Sequence, residues 1–252
     1  MHSKRADRLM EAALALEKRT DRIRSCSAVL AAAGDSTRFG SPKPFVTLGS
    51  KPLFSYSLNA ILNSRYIDEA VIAVREADLD RWQSALGTMT FSKKVTLCVG
   101  GKTREESVMR AFRALSKKTD YVAFHDAARP FITTADVDRV ILDAFRYGAA
   151  SAGAPVVDSV KRCDRRQKIT EDVDREGLFA VSTPQVFSKE IYEVARAVCR
   201  KDGFSSTDDN AYVSHAGFGV HVTRVAFNPK LTYPEDLALF EKCVPQKQGE
   251  PV

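Results

Sequence analysis

The chain has 252 residues, of which 44% are hydrophobic and 28% are charged, as in an ordinary globular protein. This composition excludes a disordered, collagen-like or coiled-coil protein. No uncharged stretch approaches the roughly 18 apolar residues that a membrane span needs, so we expect a soluble protein without membrane contact.

The charge balance is mildly basic, with 38 lysines and arginines against 32 acidic residues and a net charge of +6. The basic residues are scattered along the chain, whereas a nucleic-acid-binding protein more often carries a basic stripe with interleaved aromatics. The charge therefore gives little support to nucleic-acid binding and fits phosphorylated small molecules equally well.

Cysteine and histidine usage argues against disulfides and against a zinc site. The five cysteines are odd in number and far apart, and no Cys/His pair has zinc spacing. We therefore expect free thiols and a reducing, cytoplasmic location.

Short apolar runs alternate along the chain with segments whose apolar residues have helical spacing. The runs that predict buried strands are residues 28–32, 70–74, 95–99, 121–124, 153–157 and 220–225. The segments that predict helices are residues 52–62, 79–86, 104–115, 135–145, 189–198 and 234–241. The alternation predicts an α/β, Rossmann-like fold with a mostly parallel sheet flanked by helices. Ligands of such sheets bind beyond the carboxyl ends of the strands, so the chemistry is expected in those loops.

The domain organisation is simple. Residues 25–245 form one predicted domain, preceded by an extension at 1–24 that is helical or frayed and followed by a polar tail at 246–252. Residues 158–177 interrupt the alternation, because they are polar and lack an apolar helical face. They predict a projecting β-arm, either a plain surface hairpin or one that reaches a partner subunit.

The first strand runs into a loop of small residues followed by basic ones. Ala32-Ala33-Gly34 would let backbone N–H groups approach a phosphate closely, and Arg38 and Lys43 would bring positive charge to the same place. Two common nucleotide motifs fail here. In this loop, a dinucleotide-binding fingerprint needs glycine where Ser36 stands. Further along, Gly101-Lys102-Thr103 would end a P-loop only if glycine stood five residues earlier, where the chain has Thr96.

Six segments, in order, resemble those of the 2-C-methyl-D-erythritol 4-phosphate cytidylyltransferase family, a branch of the sugar-nucleotide nucleotidyltransferases. They are Ala32-Ala33-Gly34 with Arg38 and Pro42-Lys43, Gly100-Gly101-Lys102-Thr103-Arg104-Glu105-Glu106-Ser107-Val108, His125-Asp126-Ala127-Ala128-Arg129-Pro130, Thr183-Pro184-Gln185, Thr207-Asp208-Asp209, and Asn228-Pro229-Lys230-Leu231-Thr232. The resemblance runs from about residue 27 to residue 241, nearly the whole chain.

The resemblance implies a Mg²⁺-dependent enzyme that transfers the cytidylyl group of CTP to 2-C-methyl-D-erythritol 4-phosphate and releases pyrophosphate, a step toward isoprenoid precursors. It also implies a homodimer held by the arm. One alternative is a ribitol-5-phosphate cytidylyltransferase, which shares the CTP site and tends to carry valine where Ala128 stands. Another is a non-catalytic basic nucleic-acid-binding protein, which explains the charge but not the six segments.

The resemblance also implies a role for each site residue. Lys43, Arg38 and Lys230 would be the catalytic cations, with Lys230 between the α-phosphate and the attacking phosphate. The implied CTP-binding residues are Ala32, Ala33, Gly34, Gly101, Arg104, Ser107, Asp126 and Ala127. Asp126 would meet the ribose or hold Mg²⁺ through water, the alternative being an aspartate that caps the next turn. The implied acceptor-binding residues are Arg129, Asp158, Ser159, Arg175, Thr183 and Thr207.

Two residues of the first loop depart from the family pattern. Ser36 stands where a second glycine is usual, and Phe39 stands where methionine is usual. The resemblance therefore does not define the geometry of the triphosphate loop, nor the role of residues 1–24.

Overall fold

The computed structural model describes residues 24–34, 39–40, 42–225 and 227–244. Its longer strands are β1 (Cys26–Ala31), β4 (Ile67–Val74), β5 (Lys94–Val99), β6 (Tyr121–Asp126), β7 (Ala149–Pro155), β10 (Phe179–Ser188) and β11 (His221–Arg224). Two short hairpins add β2 (Thr47–Leu48), β3 (Lys51–Pro52), β8 (Val160–Cys163) and β9 (Ile169–Val173). The helices are α1 (Leu53–Leu62), α2 (Leu79–Gly87), α3 (Arg104–Arg113), α4 (Thr134–Tyr147), α5 (Lys189–Lys201), α6 (Asp209–His215) and α7 (Asp236–Cys243).

The seven longer strands form one sheet in the order β11-β7-β10-β6-β1-β4-β5. Every neighbouring pair is parallel except the two that involve β10, which runs antiparallel to β6 and to β7. The predicted mostly parallel, Rossmann-like sheet is therefore confirmed. Across the described residues, no helix is long and apolar enough to cross a membrane.

Helices cover both faces of the sheet because the central strands are apolar on both sides. In β1, Ala28 and Leu30 belong to the core cluster that includes residues of α1, α2 and α4, whereas Val29 belongs to the cluster with residues of α3 and α5. A third, smaller core joins Leu48, Leu53, Leu231 and Phe240 beside the carboxyl end of the sheet. These cores hold the strand ends and their loops in a defined arrangement.

The sequence analysis missed strand β10, helix α6 and the short hairpin of β2 and β3. Strand β10 was not predicted because its first half is exposed and its pairing with β7 is interrupted between Val181 and Gln185. Helix α6 is only seven residues long, too short for a clear periodicity. Helix α7 begins at Asp236 rather than at residue 234, since the Asp236 carboxylate accepts the backbone N–H groups of Thr232 and Tyr233.

The segment predicted as an arm contains the antiparallel hairpin of β8 and β9, which forms a sheet of its own. Residues 161–172 are all exposed. Whether this hairpin contacts a second subunit stays a prediction. Apart from Arg24, the predicted extension at 1–24 lies outside the described residues, as does the polar tail at 246–252.

Candidate functional site

The carboxyl ends of β1, β4 and β6 are tied to one another by backbone hydrogen bonds. Ala32 donates its N–H to Ala73 at 3.0 Å, and Ala127 donates to Ala31 at 3.1 Å. The small-residue loop after β1 and the segment after β6 therefore leave the sheet side by side. Residues 35–38 lie outside the described part, so the predicted roles of Ser36 and Arg38 are not tested.

The loop after β5 packs directly against the loop after β1. A Cβ atom on Gly100 would lie 2.7 Å from the Ala33 Cβ and 2.7 Å from the Ser107 Oγ, so only glycine fits here. The Ser107 hydroxyl accepts the Gly101 N–H at 3.0 Å and donates to the Thr103 carbonyl at 2.8 Å. Ser107 thus shapes the glycine pair. The predicted CTP-binding residues Ala32, Gly101 and Ser107 come from the loop after β1, the loop after β5 and the first turn of α3.

Asp126, at the end of β6, lies among three cationic side chains. Its Oδ2 is 2.8 Å from Lys230 Nζ and 3.7 Å from Arg129 Nε, and its Oδ1 is 3.6 Å from an Arg104 terminal nitrogen. Burial alone would raise the pKa of Asp126, but the three cations, Lys230 foremost, hold it far below its ordinary value. The carboxylate is therefore ionised at neutral pH. Its contact with the ribose or with Mg²⁺ stays a prediction, as does the alternative that it caps the next turn.

Arg104 connects this cluster to a second, fully buried carboxylate. It donates to Asp209 Oδ2 at 2.9 Å, and the Tyr192 hydroxyl donates to Asp209 Oδ1 at 2.8 Å. Burial and the adjacent Asp209 carboxylate raise the pKa of Tyr192 well above 10, so the phenol remains a hydrogen-bond donor.

Lys230 is held in place by its neighbours in the chain. Leu231 is fully buried in the third core and donates its N–H to the Ala128 carbonyl at 2.8 Å. On the other side, the Asn228 carbonyl accepts a bond from the Arg129 guanidinium at 2.7 Å. The Lys230 side chain remains about two-fifths exposed, at the surface of the cluster.

Lys43 reaches the same loop from the opposite direction. It opens a 3₁₀ helix, Lys43–Phe45, between Pro42 and the buried Pro44. Its Nζ donates to the Thr232 carbonyl at 3.4 Å and lies 5.9 Å from the centre of the Phe39 ring. The structure therefore brings Lys43 to the segment that carries Lys230, and Phe39, the departure from the family pattern, packs at the third core beside it.

The predicted acceptor-binding residues divide into two groups. Arg129 and Thr183 lie at the Asp126 cluster, where the Thr183 hydroxyl accepts the Asp126 N–H at 3.1 Å. Asp158, Ser159 and Arg175 are exposed at the base of the hairpin, and Arg175 donates to the Val157 carbonyl. In the described part of the chain, none of these three contacts the cluster. Thr207 is exposed, two residues before Asp209.

Four residues that complete the site were not predicted individually: His125, Tyr192, Asp209 and Asn228. Three of them stand inside or beside quoted motifs, which was the available signal. Tyr192 had none, because its spacing in α5 is that of an ordinary core residue.

The residues at the site suit a magnesium ion that is held mainly by substrate. The described residues contain no cluster of three or more acidic, histidine or cysteine side chains able to hold a metal. Mg²⁺ commonly binds through one or two carboxylates together with phosphate oxygens and water. Asp126, which ends a strand at the site, is a carboxylate of that kind.

Comparisons with known proteins agree with one another. The model of the 2-C-methyl-D-erythritol 4-phosphate cytidylyltransferase family matches residues 26–246. The chain is similar to proteins of that name from Haemophilus influenzae, with 36% identity over 86% of this chain and 96% of the other. The one from Caldanaerobacter subterraneus is 34% identical over 85% and 96% of the two chains. The crystal structure of the one from Thermus thermophilus aligns with a TM-score of 0.70 and 30% identity, over 87% of this chain and 98% of the other.

Proposed function

The chain belongs to the 2-C-methyl-D-erythritol 4-phosphate cytidylyltransferase family, and we propose that it transfers the cytidylyl group of CTP to 2-C-methyl-D-erythritol 4-phosphate. The observation that carries the proposal is the cluster of Lys230, Arg104 and Arg129 around Asp126 at the carboxyl edge of the parallel sheet. This edge is where ligands of such sheets bind.

The chemistry requires charge stabilisation more than covalent catalysis. A phosphate oxygen of the acceptor attacks the α-phosphorus of CTP in line, a new P–O bond forms, and the bond to pyrophosphate breaks. The acceptor phosphate is already ionised, so no general base is needed. Lys43 and Arg38 neutralise the triphosphate, and Lys230 bridges the attacking and the α-phosphates.

Asp126 has two roles in this proposal. Its carboxylate orients Lys230 and Arg104 before substrate binds, and it meets the ribose or holds Mg²⁺ through water. The ion itself would be bound mostly by triphosphate oxygens, and it would supply further charge neutralisation. The ion pair of Asp126 with Lys230 opens when Lys230 turns toward the phosphates.

The cytidine end lies between the two glycine-containing loops. The backbone of Ala32, Ala33 and Gly34 faces the nucleotide, and Gly101 and Ser107 bind the edge of the cytosine base. The close approach of Gly100 to Ala33 and Ser107 holds these two loops together.

The acceptor site is shared between two subunits. Arg129 and Thr183 come from one protomer, and the arm of the other supplies Asp158, Ser159 and Arg175. Two observations support this homodimer: those arm residues make no contact with the cluster of their own chain, and Val157, Ile169, Phe179 and Val181 expose apolar surface at the hairpin and its base. A cytoplasmic location agrees with the five cysteines, all of which are free thiols.

Pyrophosphate release tests the function. Purified protein is mixed with CTP and Mg²⁺, and with either 2-C-methyl-D-erythritol 4-phosphate or ribitol 5-phosphate. We expect turnover with the first acceptor and a large loss with Lys230→Ala. Lys201→Ala, an exposed lysine at the end of α5, is the control and should behave as the wild type. Preference for ribitol 5-phosphate would contradict the acceptor assignment. No pyrophosphate release with either acceptor would contradict cytidylyl transfer.

A further inference from the structure

Four residues around Asp126 are joined in a closed ring of hydrogen bonds. His125 is fully buried, and its Nδ1 lies 3.0 Å from the Thr183 hydroxyl. The Thr183 backbone carbonyl accepts a hydrogen bond from the Asn228 side-chain amide at 2.6 Å. The Asn228 backbone carbonyl accepts a hydrogen bond from the Arg129 guanidinium at 2.7 Å. The ring closes where His125 Nε2 approaches the Arg129 carbonyl at 3.4 Å.

One arrangement of protons satisfies both ring nitrogens of His125. The Thr183 hydroxyl already accepts the Asp126 N–H at 3.1 Å, so its single proton is available for His125 Nδ1. The Arg129 carbonyl can only accept, so it faces an Nε2–H. His125 is therefore the Nε2–H tautomer, with Nδ1 as acceptor.

The ring connects three parts of the chain that carry the site. His125 and Asp126 end β6, Thr183 lies in β10, and Asn228 stands two residues before Lys230. Without the imidazole, the Thr183 hydroxyl would lose its acceptor and the Arg129 carbonyl its donor, and the Asn228 segment bonds these same two residues. The position of Lys230 relative to Asp126 therefore depends on a side chain that is itself closed off from solvent.

We propose that His125 is a positioning residue for cytidylyl transfer, which fixes Lys230 through Thr183 and Asn228 without touching either substrate. This inference rests on the proposed function. Lys230 must lie between two phosphates for the transfer to proceed, and displacements of about 1 Å can cost on the order of 100-fold in rate. The imidazole holds its neighbours in place by hydrogen bonds, and no proton is transferred through it.

Two substitutions of His125 separate this role from simple packing. His125→Phe keeps the volume and the apolar packing but removes both nitrogens. His125→Asn is smaller but keeps an acceptor toward the Thr183 hydroxyl. We expect His125→Phe to lower kcat about 10- to 100-fold with the KM for CTP nearly unchanged, and His125→Asn to retain more activity. The reverse order, with phenylalanine the better replacement, would mean that His125 only fills space and would overturn the proposal.

A double-mutant cycle with Lys230 locates the effect. If His125 acts through Lys230, the difference between the phenylalanine and asparagine variants should disappear in a Lys230→Ala background. Full additivity would contradict the proposal. Thr183→Val should resemble His125→Phe, and Thr183→Ser should recover most of the kcat. Thr223→Val is the matched control, since Thr223 is also a buried strand threonine but bonds Asp143 at the far edge of the sheet.

A measurement on the unmodified protein needs no activity. ¹⁵N NMR of histidine-labelled protein at pH 7.5 reports which ring nitrogen carries the proton, with His125→Asn used to assign the signal. We expect protonated Nε2 and an unprotonated, hydrogen-bonded Nδ1. A proton on Nδ1 would overturn the ring even in an active enzyme. The expected tautomer in a protein without cytidylyl transfer would instead refute the proposed function and leave the ring standing.

Discussion

The ammonium group of Lys230 lies 2.8 Å from the carboxylate of Asp126, although 104 residues separate them in the chain. Arg104 and Arg129 approach the same carboxylate at 3.6 and 3.7 Å. Because Arg104 also pairs with Asp209, three cations face two buried carboxylates, which leaves one net positive charge at the edge of the sheet. A CTP triphosphate and an acceptor phosphate supply the complementary charge.

We expect Lys230→Ala to raise the activation free energy by about 2 kcal/mol or more, because it removes a cation needed in the transition state. This increase lowers kcat roughly 30-fold. The measurement is steady-state pyrophosphate release with both substrates saturating. Thermal unfolding should show that the fold persists. A variant with near-normal turnover would remove Lys230 from the mechanism.

Lys43→Ala should lower kcat by a similar factor, for a different reason. Lys43 stands between Pro42 and Pro44 and neutralises the triphosphate in the proposed function, so the KM for CTP should rise as well. Lys51→Ala, at an exposed position in the short hairpin nearby, is the control. An unchanged KM for CTP together with unchanged kcat would exclude Lys43 from the CTP site.

Arg175→Ala should raise the KM for 2-C-methyl-D-erythritol 4-phosphate much more than the KM for CTP, since a guanidinium suits a phosphate monoester. If the arm serves the partner's site, mixing Arg175→Ala subunits with Lys230→Ala subunits should restore activity, because each mixed dimer then has one intact site. Equal effects on both KM values, or no restoration on mixing, would make the arm purely structural.

Gly100→Ala should raise the KM for CTP. Its methyl group would lie 2.7 Å from both the Ala33 Cβ and the Ser107 Oγ, so the two loops must separate. Gly87→Ala is the matched control, because a Cβ at the end of α2 meets nothing within 4 Å. If Gly100→Ala binds CTP like the wild type in titration calorimetry, these loops do not form the nucleotide pocket.

Asp236 should contribute stability that depends on pH. The backbone N–H groups of Tyr233 and Thr232 lower the pKa of its carboxyl below the ordinary value near 3.9. The folded-state pKa is depressed, so the stabilisation is fully present above the unfolded-state pKa and is lost as pH falls through the folded one. At pH 7, Asp236→Ala should cost about 0.5–1 kcal/mol of unfolding free energy, a modest value since solvent screens the site.

At a pH below the folded-state pKa of Asp236, the same measurement should show little difference between Asp236→Ala and the wild type. Denaturant titrations at several pH values give the comparison, with the exposed neighbour Glu235→Ala as the control. A difference that stays constant from pH 7 to a pH below that pKa would show that the carboxylate charge does not contribute.

The imidazole of the buried His125 should not change its protonation over the physiological pH range. Burial lowers the pKa of His125 to about 4, against an ordinary value near 6.5. It is therefore neutral at the pH where the enzyme would work.

The fold class and the loops that carry the site could be predicted from the amino-acid pattern. The central strands are buried on both faces, so they stand out as continuous apolar runs between amphipathic helices, and their order along the chain places the loops at one edge. The motifs that carry Gly101, Asp126 and Lys230 were recognised by their resemblance to the family, and Lys43 also by its place after a loop of small residues. The arm was recognisable by its polarity, and its proposed partner contact awaits the mixing experiment.

The contacts between those residues depend on long-range packing. Strand β10 inserts antiparallel between β6 and β7, and this brings Thr183 to His125 and Asp126. The burial of Leu231 brings Lys230 to the same carboxylate, and the packing of α5 brings Tyr192 to Asp209. None of these contacts has a local signal, because each forms between segments far apart in sequence whose approach depends on the packing of the whole sheet. Local periodicity reports which face a residue occupies, and the partner it meets there is set by packing.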